Sequence, residues 1–139
     1  MKSAATGFQL FDTLYKNREN ADILVSIHLN SNRGGIIGAM LKGTTVFYHG
    51  GMEGLLGDSG KLAKSINDAV GKNTSLSKNK IRRDHGNLGI LTESYMVAVL
   101  TETGYMGADI AYLSNNANLK LIGNNIALGI VEHLSCFCP

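Results

Sequence analysis

The chain has 139 residues, 44% hydrophobic and 17% charged, with one Pro; 13 Lys and Arg against 11 Asp and Glu give a formal charge of +2. This composition argues against a disordered chain, and the length against two domains, so 1–139 is expected to form one unit. No nucleic acid is expected as the main partner, because the cations are scattered apart from Lys78, Lys80, Arg82 and Arg83. No membrane span is expected either: no apolar run approaches the roughly 20 residues required.

Phe8, Leu10, Phe11, Leu14 and Tyr15 recur at three- and four-residue spacings and predict a helix that ends before Ala21. Ile23 to His28 is a short β-rich run bounded by Asp22 and by Asn30-Ser31-Asn32, the pattern of a buried strand. A second strand is predicted at Thr44 to Tyr48, between Gly43 and Gly50-Gly51. Leu55, Leu62, Ala63, Ile66, Ala69 and Val70 form a helical stripe from about Asp58, a candidate N-cap, to Gly71, a candidate stop.

The polar stretch Lys72 to Asn87 reads as a loop, so its cations read as solvated groups or as contacts to an anionic polymer. Leu88 to Leu91 and Met96 to Thr101 read as two further strands, and Asp109 to Leu134 as one long final helix. Cys136 and Cys138 stand too close for an unstrained bridge and read as free thiols in a terminal tail. Strands alternating with helices predict an α/β fold, a mostly parallel twisted sheet flanked by helices.

In such sheets ligands gather beyond the carboxyl ends of the strands. His28 closes the first strand and Glu102 follows the last, which places both on one rim. Imidazole is a preferred zinc ligand, and a carboxylate beside it can accept a proton from water. By position alone the commoner state for each is structural: a hydrogen-bonded His and a solvated Glu. Alternation along the strand points Ser26 the same way as His28, and Asn30 opens the following loop, so both are candidates for substrate contact. His49 and His85 are weaker candidates, Glu93 reads as a surface group in a turn, and His133 as a helix-end residue bonded to the last carbonyls.

The segment Ala21-Asp22-Ile23-Leu24-Val25-Ser26-Ile27-His28-Leu29-Asn30 closely resembles the A-D-x-x-x-S-I-H-x-N motif of the zinc-dependent N-acetylmuramoyl-L-alanine amidases (amidase type 3). Leu100-Thr101-Glu102-Thr103-Gly104-Tyr105-Met106 resembles the same family's L-x-E-x-G-[FY]-[LM] motif. Asn17 falls where the family has the Asn of an A-N pair, with Lys16 in place of the Ala; Asp109 sits near the family's usual Asp, and Ile126 to Ile130 resembles its terminal I-A-x-G-I helix.

The resemblance implies zinc as cofactor and peptidoglycan as substrate, cut at the amide between N-acetylmuramic acid and the L-alanine of the stem peptide. It implies His28 as a metal ligand and Glu102 as the acid/base. The family's other ligands, a His in a G-H-G-G-like turn and a Glu, belong to a segment before anything present here. The chain is therefore expected to be the carboxyl-terminal portion of the catalytic domain, without its first strand and helix, with an upstream segment or partner chain completing the zinc site. Two alternatives stay open: an inactive amidase fragment or wall-binding module, and an unrelated α/β module. The resemblance implies an extracellular, periplasmic or cell-wall location given an export signal upstream, or the cytoplasm until lysis for a phage protein.

Overall fold

The structure, a computed structural model, describes residues 21–31, 41–49 and 57–136. They form β1 (Ile23–Asn30), β2 (Thr44–His49), α1 (Gly57–Asn73), β3 (Lys78–Asp84), α2 (Gly89–Thr92), β4 (Val97–Tyr105), α3 (Ile110–Leu113) and α4 (Asn116–Ser135). The helix expected over Phe8 to Tyr15 lies outside the described residues, as do Leu55 and Cys138; Cys136 is a free, exposed thiol.

The four strands make one sheet in the order β1-β4-β2-β3. β1 runs parallel to β4, and β2 parallel to β3, while β2 and β4 are antiparallel. The expected α/β class and mostly parallel sheet are thus observed, with one reversal at its centre. Its consequence is that the carboxyl ends of β1 and β4 share one rim, whereas those of β2 and β3 point to the other.

Two faces of the sheet carry separate cores. On one, Val46 and Val99 pack against Leu62, Ala63, Ile66 and Val70 of α1, and against Ile122 and Ile126 of α4. The predicted stripe is therefore the buried face of α1, since residues three and four apart share a side of a helix. On the other face, Ala98 and Leu100 pack under Leu91 of α2 with Leu24 and Phe47 beside them. Alternation along β1 and β4 carries Ser26, His28 and Glu102 onto this second face.

The helix layer depends on one close approach. A Cβ on Gly129 of α4 would lie 2.6 Å from the Cα and 2.8 Å from the N of Ile66 on α1. No side chain fits there without moving one backbone from the other. Asn73 Nδ2 also donates to Asn125 Oδ1 at 2.7 Å, so the same interface has a polar tie at the end of α1.

Four sequence expectations are corrected. Leu88 to Leu91 is not a strand: the Asp84 carboxylate accepts backbone N–H bonds from Gly86, Asn87 and Leu88 at 3.1, 3.2 and 3.2 Å and turns the chain into α2. The supposed loop from Lys72 to Asn87 contains β3, a charged edge strand whose ladder to β2 is made by backbone groups and needs no apolar alternation. The final helix is two, broken at Asn115, whose side-chain Oδ1 accepts from Ala117 N at 2.8 Å and starts α4. Asp58 lies inside the first turn of α1, not at its cap, and pairs with Lys61 at 2.7 Å.

His133 lies in the last turn of α4, the helix-end position expected from the sequence. It is 4% exposed on α4, against the start of α1. Burial holds its imidazole below the ordinary value; Asp58 opposes that shift and Lys61 adds to it. The folded chain thus binds fewer protons at this site than the unfolded chain. Stability from this group is complete above the unfolded value of 6.5 and is lost as pH falls from there toward the folded value. The urea midpoint is expected to drop between about pH 7.5 and about pH 5.5, and to drop less in His133→Gln; an equal drop in both would remove His133 as its source. Gly129→Ala is expected to lose about 1–3 kcal/mol by forcing the helices apart, measured by urea unfolding.

Candidate active site

The parallel ladder of β1 and β4 pairs Val25 with Val99, Ser26 with Leu100, Ile27 with Thr101 and His28 with Glu102. A strand pair in register puts paired residues on the same face, so His28 and Glu102 stand side by side at the rim. Glu102 lies within β4, which continues to Tyr105, and Asn30 ends β1 opposite Tyr105 instead of opening a loop. The register slips between His28 and Asn30, an irregularity immediately beyond the pair that changes the direction of the strand.

Both residues are held through their main chains by threonines. Thr103 Oγ1 donates to the carbonyl of His28 at 3.0 Å, and Thr44 Oγ1 donates to the carbonyl of Glu102 at 3.2 Å. Thr44 and Thr103 are themselves buried, and both bonds are partly shielded from solvent. Ser26 Oγ lies 2.9 Å from Nε2 of His28, placing the serine on the imidazole as strand alternation predicted.

The two functional groups differ in surroundings. The His28 side chain is exposed, whereas Glu102 is half-buried and its Oε2 is buried without a hydrogen-bond partner. Burial raises the Glu102 carboxyl above the ordinary carboxylate value, and the neighbouring His28 pulls it partly back. A carboxylate raised this way holds a proton more readily than a solvated one, as a general acid/base requires.

A second carboxylate completes the rim. Asp109, buried beyond β4, accepts from Tyr105 N at 2.9 Å and from Gly43 N at 2.7 Å through Oδ2. It thereby ties the end of β4 to the start of β2. Gly43 itself has φ 85, and a Cβ there would fall 2.0 Å from the carbonyl oxygen of Ser77. Only glycine allows this turn, from which Thr44 N donates to the same carbonyl at 2.9 Å. The sequence marked Asp109 by its place in a motif; its bond to Gly43, 66 residues away, had no sequence signal.

The remaining candidates are not gathered here. Thr45 faces Glu102 across the antiparallel pair, and His49 lies four residues further along β2, about 13 Å away at the usual strand rise. His49 pairs instead with Asp84 on β3, and its Nδ1 is buried without a hydrogen-bond partner. His85 is exposed beyond that opposite rim, His133 is under α1, and Glu93 caps the end of α2 at the surface. Arg82 and Arg83 are exposed on β3. Among the described residues no group of three His, Cys, Asp or Glu side chains is placed to hold a metal ion.

Removing Asp109 leaves two backbone donors without their acceptor. Asp109→Ala is expected to cost on the order of 3 kcal/mol in urea unfolding. A loss below about 0.5 kcal/mol would mean that the tie between β2 and β4 is dispensable.

The sequence model of the N-acetylmuramoyl-L-alanine amidases matches residues 11–132. Among curated proteins there is no match. Solved structures are similar over nearly the whole chain. The amidase AmiC2 of Nostoc punctiforme superposes with a TM-score of 0.78 at 25% identity, covering 96% of this chain and 68% of that one. The catalytic domain of the amidase CwlV from Bacillus (Paenibacillus) polymyxa gives 0.76 at 25% identity, with 96% and 68% covered. An amidase of Clostridium difficile 630 gives 0.78 at 23% identity, with 92% and 67% covered, a likeness of fold. With the family's two motifs paired on one rim and its sequence model spanning most of the chain, this protein belongs to the N-acetylmuramoyl-L-alanine amidases, which hydrolyse peptidoglycan.

Proposed function

We propose that residues 1–139 act as one catalytic unit in which His28 is a zinc ligand and Glu102 the general acid/base for cleavage of the amide between N-acetylmuramic acid and L-alanine. The observation that carries this is the register pair: an exposed imidazole beside a half-buried carboxylate with a buried, unbonded oxygen. The donor set fits part of a zinc site. One ring nitrogen of His28 is engaged by Ser26, leaving the other for a ligand bond. At this rim the described residues supply one imidazole for the metal, with Glu102 kept for proton transfer, so the remaining ligands come from elsewhere in the chain, from an upstream segment or from a partner chain.

When bound, zinc supplies Lewis-acid polarisation of the scissile carbonyl and acidifies water. The chain's own groups do the rest. Glu102 takes a proton from the attacking water and gives it to the leaving amine of L-alanine, a transfer for which its raised affinity for protons suits it. The threonine bonds to both main chains keep the pair from drifting apart while that proton is held. Asn30, at the end of β1, contacts the glycan or the stem peptide beside the pair. Its products are intact glycan strands and free peptides.

The site of action is the cell wall, reached by export in a bacterium or at lysis for a phage enzyme. A second reading, binding to wall without cleavage, has one observation in its favour: the absence of a three-ligand group among the described residues.

Glu102→Gln is expected to lower release of stem peptides from purified peptidoglycan by about 10²–10⁴-fold while zinc content stays unchanged. His28→Ala is expected to lower zinc content, read by elemental analysis. Undiminished peptide release from Glu102→Gln would rule out the acid/base role, and sedimentation with the wall but no release from the unaltered protein would favour binding alone.

A further inference from the structure

Resting on the assignment of His28 as a metal ligand, we infer that Ser26 is a positioning residue: its Oγ accepts Nε2–H of His28, so that the Nδ1 lone pair is the one left to bind a metal. The two residues stand two apart on one face of β1, with Oγ 2.9 Å from Nε2. The His28 side chain is exposed, so little packing limits its rotation. Its main chain is fixed by the buried Thr103 hydroxyl, and Ser26 restrains its ring.

The direction of the proton follows from what a ligand needs. A neutral imidazole carries one N–H and one lone pair, and only the lone pair binds metal. Were the serine the donor to Nε2, the ring proton would sit on Nδ1 and both nitrogens would be occupied. With serine as acceptor the proton is on Nε2, and Nδ1 is open. Histidine ligands characteristically donate their second N–H to a neighbouring acceptor in this way, which fixes tautomer and ring orientation together. Glu102 is the other acceptor near the ring, yet its Oε2 has no hydrogen-bond partner and stays available for proton transfer.

The test is a set of proton–nitrogen correlation spectra of ring-labelled, chelator-treated protein at about pH 8, above the ordinary value of a histidine side chain. His28 is expected to be protonated on Nε2 alone in the unaltered chain, to mix tautomers in Ser26→Ala, and to return to one form in Ser26→Thr, which keeps the hydroxyl. Zinc affinity is expected to fall about ten-fold or more in Ser26→Ala and to recover in Ser26→Thr. Protonation on Nδ1 in the unaltered chain, or the same tautomer balance with and without the hydroxyl, would overturn the inference. The spectra involve neither metal nor peptidoglycan, so their outcome is separate from that of peptide release by Glu102→Gln.

Discussion

The parallel register between β1 and β4 is the constraint on which the site depends. His28 and Glu102 stand 74 positions apart in the chain (102 − 28), and the ladder between β1 and β4 brings them opposite one another. Because side chains alternate, a slip of one residue would send one of the two through to the face covered by α1 and α4. The apolar residues before them forbid that slip. Val25 and Val99 face α1 and α4, while Leu24, Ala98 and Leu100 face α2, so a shift would expose one set and bury polar groups from the other.

The rest of the molecule holds that register. The α1 and α4 layer closes one face through a contact so short that Gly129 has no room for a side chain. Asp109 fastens the rim, since it binds the backbone of Tyr105 and of Gly43 with one oxygen. Charge-assisted bonds from a buried carboxylate to backbone N–H groups are stronger than neutral ones, so a single residue can join two strand ends.

The same geometry creates the difference between the two rim groups. The rim leaves the His28 side chain in solvent and partly encloses Glu102, which raises its affinity for a proton. On the opposite rim, where β2 and β3 end, His49, Asp84 and His85 come near one another. There the Asp84 carboxylate is spent on three backbone N–H groups, which shapes a turn and leaves no comparable pair.

Much of this was legible in the sequence. The β-rich run into His28, the stripe from Leu62 to Val70 and the apolar approach to Glu102 each state their own local structure, because period and propensity are properties of neighbouring residues. The two motifs stated the family. Local pattern could not state β3, whose Lys and Arg residues resemble a loop and which forms because β2 offers backbone partners. Nor could it state the short helix at Gly89–Thr92, set by the Asp84 turn, or the reversal that separates His49 from Glu102. Sequence determined which residues are able to do the chemistry; tertiary structure decided which of them meet, since pairing across strands depends on backbone bonds between residues far apart in the chain.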